Sequence, residues 1–228
     1  MKKIIKYFNK TEWIIYLGSI ALITILFLIF KNRNFLYLIG AVIGVSSLIF
    51  DAKGNVFGQF LGLIFDILYA IISYKFGYYG EMFTYLFLSL PEAIIAIFSW
   101  LRHPYKEKVM EVKINVISKK EYFLVGLVSV ALSIISYFVL KRLETPNLIL
   151  STFSVFTCTI ATYLLIRRCR FYPIFFFIND IALIALWLFA SFEDTVNIPM
   201  IGCFVCYLFI DVYTYINWSK IEKRQNLN

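Results

Sequence analysis

The stretch "KGNVFGQFLGLIFDILYA" at 53–70 has a counterpart at 167–184, "RRCRFYPIFFFINDIALI". Laid over one another, Lys53 falls on Arg167 and Asp66 on Asp180, each basic residue standing 13 positions before its acid. With one four-residue gap the match continues, and the SWL of 99–101 falls on the NWS of 217–219, so Trp100 meets Trp218. Each half then comprises three apolar stretches, 35–101 and 146–218, with one further stretch, 121–140, between them. A unit of three membrane-crossing helices begins and ends on opposite sides. One linker helix therefore brings the chain back to run a second unit parallel to the first, a known plan for transporters.

Composition places the whole chain in a bilayer. It is 61% hydrophobic, 19% aromatic and 16% charged over 228 residues, whereas soluble domains run to about 45–50% apolar and about 25% charged. Four windows, 13–30, 121–140, 146–166 and 171–192, have the length and apolarity to cross the hydrocarbon core. Four more, 35–50, 57–74, 82–101 and 196–216, are nearly as apolar. The expectation is an all-α membrane protein of eight transmembrane helices: two parallel three-helix repeats, a linker helix and an extra N-terminal helix. Its segments are 1–34, 35–101, 102–145, 146–218 and a tail at 219–228. The first span follows four lysines but ends on "KNRNF" with no small-residue cleavage site, so it reads as a retained helix.

Charge orients the helices. With the N-terminus inside, 17 of the 22 lysines and arginines fall on the inner side, which the positive-inside rule reads as cytoplasmic. Both termini are then cytoplasmic. The net charge of +8 is a topology signal and implies no nucleic-acid partner.

Catalytic and metal chemistry finds little to work with. The single histidine, His103, sits in an inner loop, and no cofactor or metal is expected. Cys203 and Cys206 have the spacing of a metal or redox pair but lie mid-helix without a second pair, so they read as small apolar fillers. No glycine-rich phosphate loop and no Ser-His-Asp arrangement occurs, and a membrane enzyme is the disfavoured reading.

Four acids fall inside spans: Asp66, Glu92, Asp180 and Asp211. A charge at the bilayer centre costs at least about 2.5–3.5 kcal/mol, so such groups belong in the bundle interior. Their neighbours agree at helical spacing. Gln59, Gly62, Asp66, Tyr69 and Ser73 form one polar stripe, and Tyr85, Ser89, Glu92, Ala96 and Ser99 a second. Asn197, Tyr207, Asp211, Thr214 and Trp218 share a face of the last helix, and Tyr172, Asn179 and Asp180 mark a fourth. One reading is interhelical hydrogen bonding. The other is a site for a cationic or polyhydroxylated solute with rings for a flat heterocycle to stack on, because no lysine or arginine lies at comparable depth. Pro91 disrupts the helix beside Glu92, which is expected to give a cationic ring a charged partner.

"DAKGNVFGQFLGLIFDILYAIISYKFGYYGEM" followed by "SWLRHP" resembles the first repeat of the PnuC family of vitamin transporters, and "IND" with "YTYINW" resembles its second. The resemblance spans about 35–220. It implies the SWEET-like architecture of two three-helix bundles joined by a linker helix. It also implies facilitated diffusion of a B-vitamin, chiefly nicotinamide riboside, made one-way by a cytoplasmic kinase that phosphorylates the product, and trimers are known in the family. The family's WxxWxxxN pattern falls on Tyr172, Phe175 and Asn179, with both tryptophans replaced by other aromatics. The expected substrate contacts are Gln59, Asp66, Tyr69, Tyr85, Ser89, Glu92, Tyr172, Phe175, Asn179, Asp180, Tyr207 and Asp211. A thiamine carrier of the same family, or the capture subunit of an ATP-driven importer, are the alternatives.

Overall fold

A computed structural model describes residues 7–30, 35–75, 79–106 and 108–227. Lys2, Lys3, Lys6, Lys31 and Arg33 of the charge count, and positions 76–78 of the family-like run, lie outside the described residues. The described chain is almost entirely helical: α1 (Lys10–Ile29), α2 (Phe35–Asp51), α3 (Phe57–Lys75), α4 (Tyr79–Thr84), α5 (Leu90–Arg102), α6 (Lys119–Arg142), α7 (Leu148–Ile166), α8 (Tyr172–Glu193) and α9 (Ile198–Leu227). α4 and α5 are joined through one π turn, Tyr85–Ser89, and act as a single crossing segment. Seven of the resulting eight are long and apolar enough to span a membrane, while α2 is apolar but shorter.

Each boundary has a local cause. Asn9 caps α1 in a reciprocal box, accepting from the Glu12 amide at 2.8 Å while the Glu12 side chain accepts from its own amide at 2.7 Å. Ser118 caps α6 on the amide of Glu121. Pro91 has no N–H for the helical ladder, and just before it the Leu90 amide reaches back five residues to the Tyr85 carbonyl, the signature of the π turn.

Small residues bring the helices together. Gly40 and Gly44 on α2, and Gly58 and Gly62 on α3, have the small-xxx-small spacing that lets apolar helices approach closely in lipid. A β-carbon on Gly58 would fall 2.2 Å from Asp51 Oδ1 and 2.7 Å from the Ser47 carbonyl. Gly202 plays the same part between α9 and α1, since a β-carbon there would lie 2.2 Å from Leu26 Cδ1. α7 is the most deeply buried span and α6 the least. α6 turns Phe123, Leu127, Ile134 and Phe138 outward as a lipid-facing surface.

Contacts at the end of the bundle bearing the described chain termini, called here the basic end, repeat in pairs. Trp218 Nε1 donates to the Asp51 carbonyl at 2.8 Å, and Trp100 Nε1 donates to the Leu165 carbonyl at 3.0 Å. Asp51 stands two residues before Lys53, and Leu165 two before Arg167. Each tryptophan thus bonds into the other half of the chain. Gly54 and Arg168, the next residues along, both adopt left-handed backbone, with φ of 66° and 57°. Lys53 pairs with Glu12 of α1 at 3.0 Å, and Arg167 Nε with Glu121 of α6 at 2.6 Å.

Two elements add detail to the sequence expectation. The basic loop between α5 and α6 contains a small antiparallel hairpin, β1 (Pro104–Tyr105) and β2 (Lys108–Val112). The segment after it crosses both left-handed turns: the Val112 amide donates to the Gly54 carbonyl at 2.9 Å and the Asn115 amide to the Arg168 carbonyl at 3.0 Å. Of the expected tail at 219–228, the described residues continue α9, which stays helical to Leu227. Gln225 fixes that extension by accepting from the Ile114 amide and donating to the Val112 carbonyl.

Candidate functional site

Between two apolar clusters lies a cavity of about 140 Å³. α2, α3, the α4–α5 segment, α7, α8 and α9 all contribute to its wall. Helix register orders the lining by depth. Toward the end opposite the basic one it is aromatic, with Tyr85, Phe204 and Tyr207, and Phe65 packs against them from middle depth. Phe65 meets both Tyr85 and Tyr207 edge-on at 6.0 Å, and Phe204 meets Tyr207 at 5.5 Å. At middle depth are Asp66 and Asp180, the two aligned acids, with Ser89 and Asn179. Asp211 meets Asp180 at this depth, and toward the basic end lie Asp51, Gln59 and Tyr172. Under them Trp218 packs edge-on against Tyr172 at 4.9 Å and at a tilt against Trp100 at 5.6 Å, which closes that end.

Nine of the twelve residues expected to contact substrate line this cavity: Gln59, Asp66, Tyr85, Ser89, Tyr172, Asn179, Asp180, Tyr207 and Asp211. Three do not. Tyr69 sits one turn beyond Asp66, where its ring packs at a tilt against Tyr85 at 4.2 Å and its hydroxyl accepts from Trp187 Nε1 at 2.9 Å. It therefore backs the aromatic end from behind. Phe175 is displaced by its neighbour: the lining face of α8 runs Tyr172, Phe176, Asn179 and Asp180, and Phe175 packs into the cluster at the basic end. Glu92 is the third. After Ser89 the wall continues at Ala93, four residues on, and Glu92 is rotated off it toward Thr162 and Cys158 of α7.

The cavity also holds an acid that the sequence reading placed in a loop. Asp51 closes α2 and is 6% exposed. Gly44, Ser47 and Asp51 are spaced by three and four residues and all line the cavity, so α2 carries a polar stripe of its own. Extending the span by one residue would have exposed that signal.

Several lining atoms have no protein partner. They are Asp51 Oδ1, Tyr172 Oη, Tyr207 Oη and Asp211 Oδ2. Leaving a buried polar group unpaired costs about 1–3 kcal/mol, so these atoms mark positions where an occupant with hydrogen-bond donors is favoured. Asn179 is anchored by Thr157, whose hydroxyl donates to its Oδ1 at 2.9 Å. Gly44 keeps room for Tyr207, since a β-carbon there would fall 1.8 Å from the phenolic oxygen. None of the described lining residues is lysine, arginine or histidine. No cluster of His, Cys, Asp and Glu suited to a metal ion occurs among the described residues.

The family model for the nicotinamide mononucleotide transporter matches residues 34–220. The nicotinamide riboside transporter PnuC of Neisseria mucosa is 29% identical over 224 residues, covering 96% of this chain and 84% of that protein. The nicotinamide riboside transporter PnuC of Haemophilus influenzae is 25% identical over 194 residues, covering 85% and 83%. The crystal structure of the vitamin B3 transporter PnuC superposes with a TM-score of 0.84 at 29% identity, over 96% of this chain and 94% of that one. A bundle of membrane-spanning helices around a polar, aromatic cavity, matched over most of its length, belongs to the PnuC family of membrane transporters.

Proposed function

We propose that the chain carries nicotinamide riboside into the cytoplasm by facilitated diffusion, in its unphosphorylated form. The relatives' names divide between a mononucleotide and a riboside. The observation that favours the riboside is the charge of the cavity: four aspartates, Asp51, Asp66, Asp180 and Asp211, and no basic residue among the described lining. The riboside's ring nitrogen is alkylated and positive at every pH, and a nearby cation favours the charged form of a carboxyl group. A mononucleotide adds a phosphate carrying about −1.5 to −2 charges at neutral pH. Phosphate sites are built from arginine, lysine or helix N-termini, and like charges brought together cost several kcal/mol. The same argument supports trapping: once a kinase phosphorylates the product, the acidic cavity no longer accepts it.

In this reading the two halves, 35–101 and 146–218, are parallel repeats that rock about the cavity between an aromatic closure at one end and the Trp100–Trp218 closure at the other. The exchanged tryptophan bonds support the division. The basic end faces the cytoplasm of a bacterial-type inner membrane, with both termini inside, as the excess of lysine and arginine there supports. The protein performs no chemistry on its cargo, and assembly as a homotrimer is part of the proposal on family grounds alone.

Isothermal titration of the purified protein tests the choice of cargo. Nicotinamide riboside is expected to bind, and nicotinamide mononucleotide to bind at least about a hundredfold more weakly, since several kcal/mol correspond to more than two decades. Equal affinities would overturn the reading.

A further inference from the structure

Two unpartnered polar atoms lie at the basic end of the cavity, Asp51 Oδ1 and Tyr172 Oη, and a third, Asp211 Oδ2, lies above them at middle depth. The three residues are electrostatic neighbours, and each lines the cavity. The opposite end presents ring faces and edges. The cavity is therefore two-ended, with hydrogen-bond acceptors at one end and aromatic surface at the other. It is also one-sided at the acceptor end. The position aligned with Asp51 is Leu165, which lines the same cavity with an apolar side chain.

We propose that Asp51 is a specificity-determining residue whose carboxyl oxygen accepts hydrogen bonds from sugar hydroxyls of the cargo, the flat ring lying toward Tyr85 and Tyr207. The proposal rests on the riboside reading and adds an orientation to it. Gln59 lies beside the Asp51 carboxyl group and Asp180 beside that of Asp211, and hydroxyl groups supply the donor that the remaining oxygen of each lacks. A site built to hydrogen-bond a hydroxyl rejects an analogue without one far more strongly than an apolar wall does. Gly58 makes the position possible, because any side chain there would collide with the Asp51 carboxyl group. The residue's main chain has a separate task, since its carbonyl receives the Trp218 indole.

The test is Asp51→Asn, which keeps size and leaves that carbonyl in place. Binding of nicotinamide riboside is measured by titration, and binding of the N-methylnicotinamide cation, the same charged ring without the sugar, by displacement of bound riboside. The riboside is expected to lose affinity by about tenfold or more and the ring cation by less than about twofold. Thermal unfolding without ligand checks that the variant is folded, and Asp51→Ser, should it be needed, is expected to show the same split. Equal losses for the two ligands would make Asp51 a counter-charge and overturn the proposal, as would no loss for either. If the unsubstituted protein fails to bind the riboside, the cargo reading falls and the proposal with it. A riboside that binds but is indifferent to Asp51 removes the proposal alone.

Discussion

Asp66 and Glu92 have the same chemistry and lie in neighbouring segments, yet their surroundings differ. Asp66 lines the cavity at middle depth, across from its aligned partner Asp180. Glu92 is turned toward α7, outside the lining. A charge-assisted contact contributes about 1.5–3 kcal/mol, which is about one decade of affinity or more. Asp66→Asn is therefore expected to weaken riboside binding about tenfold or more, and Glu92→Gln to change it by less than about threefold, both read by isothermal titration. A larger loss for Glu92→Gln would return that residue to the site. The sequence located both acids in the bundle interior because a buried charge in lipid has few alternatives. It could not choose between the i+3 and i+4 continuation from Ser89, and that choice decides whether Glu92 or Ala93 faces the cavity. Asp51 was missed for a different reason. It is the last residue of α2, next to a turn, where composition no longer marks the span.

At the scale of elements, the eight crossing segments were legible because apolar runs of this length have one stable form in a bilayer, where every backbone group must be satisfied within the segment. The hairpin at 104–112 and the helical extension of α9 were not, since both are polar and are fixed by long-range bonds such as those of Gln225. The tryptophans join the two levels. Their alignment was visible in the sequence, but their use was not: each donates to a carbonyl at the end of a helix in the other half. Removing one indole N–H deletes one hydrogen bond, a loss of about 0.5–1.5 kcal/mol, while the carbonyl keeps a backbone donor, Gly54 for Asp51 and Arg168 for Leu165. Trp100→Phe and Trp218→Phe are expected to lower the thermal unfolding midpoint in detergent by similar amounts, because the two bonds are equivalent. A loss confined to one variant would contradict the paired arrangement.

For the molecule as a whole, the paired contacts reach beyond the three-helix units. Glu12 on α1 holds Lys53 as Glu121 on α6 holds Arg167, so the N-terminal helix braces the first half as the linker helix braces the second. The strap at 112–115 then ties the two left-handed turns to each other across the basic end. In the proposed mechanism the carrier needs only its cargo's gradient to alternate between its two closures, whereas intramembrane acids in many transporters relay protons. Counterflow of labelled nicotinamide riboside in liposomes containing the purified protein alone, with no ion gradient, separates these mechanisms. The account predicts exchange that persists when a protonophore is added and that excess nicotinamide mononucleotide does not inhibit. Uptake that requires an imposed pH gradient or a partner protein would contradict it.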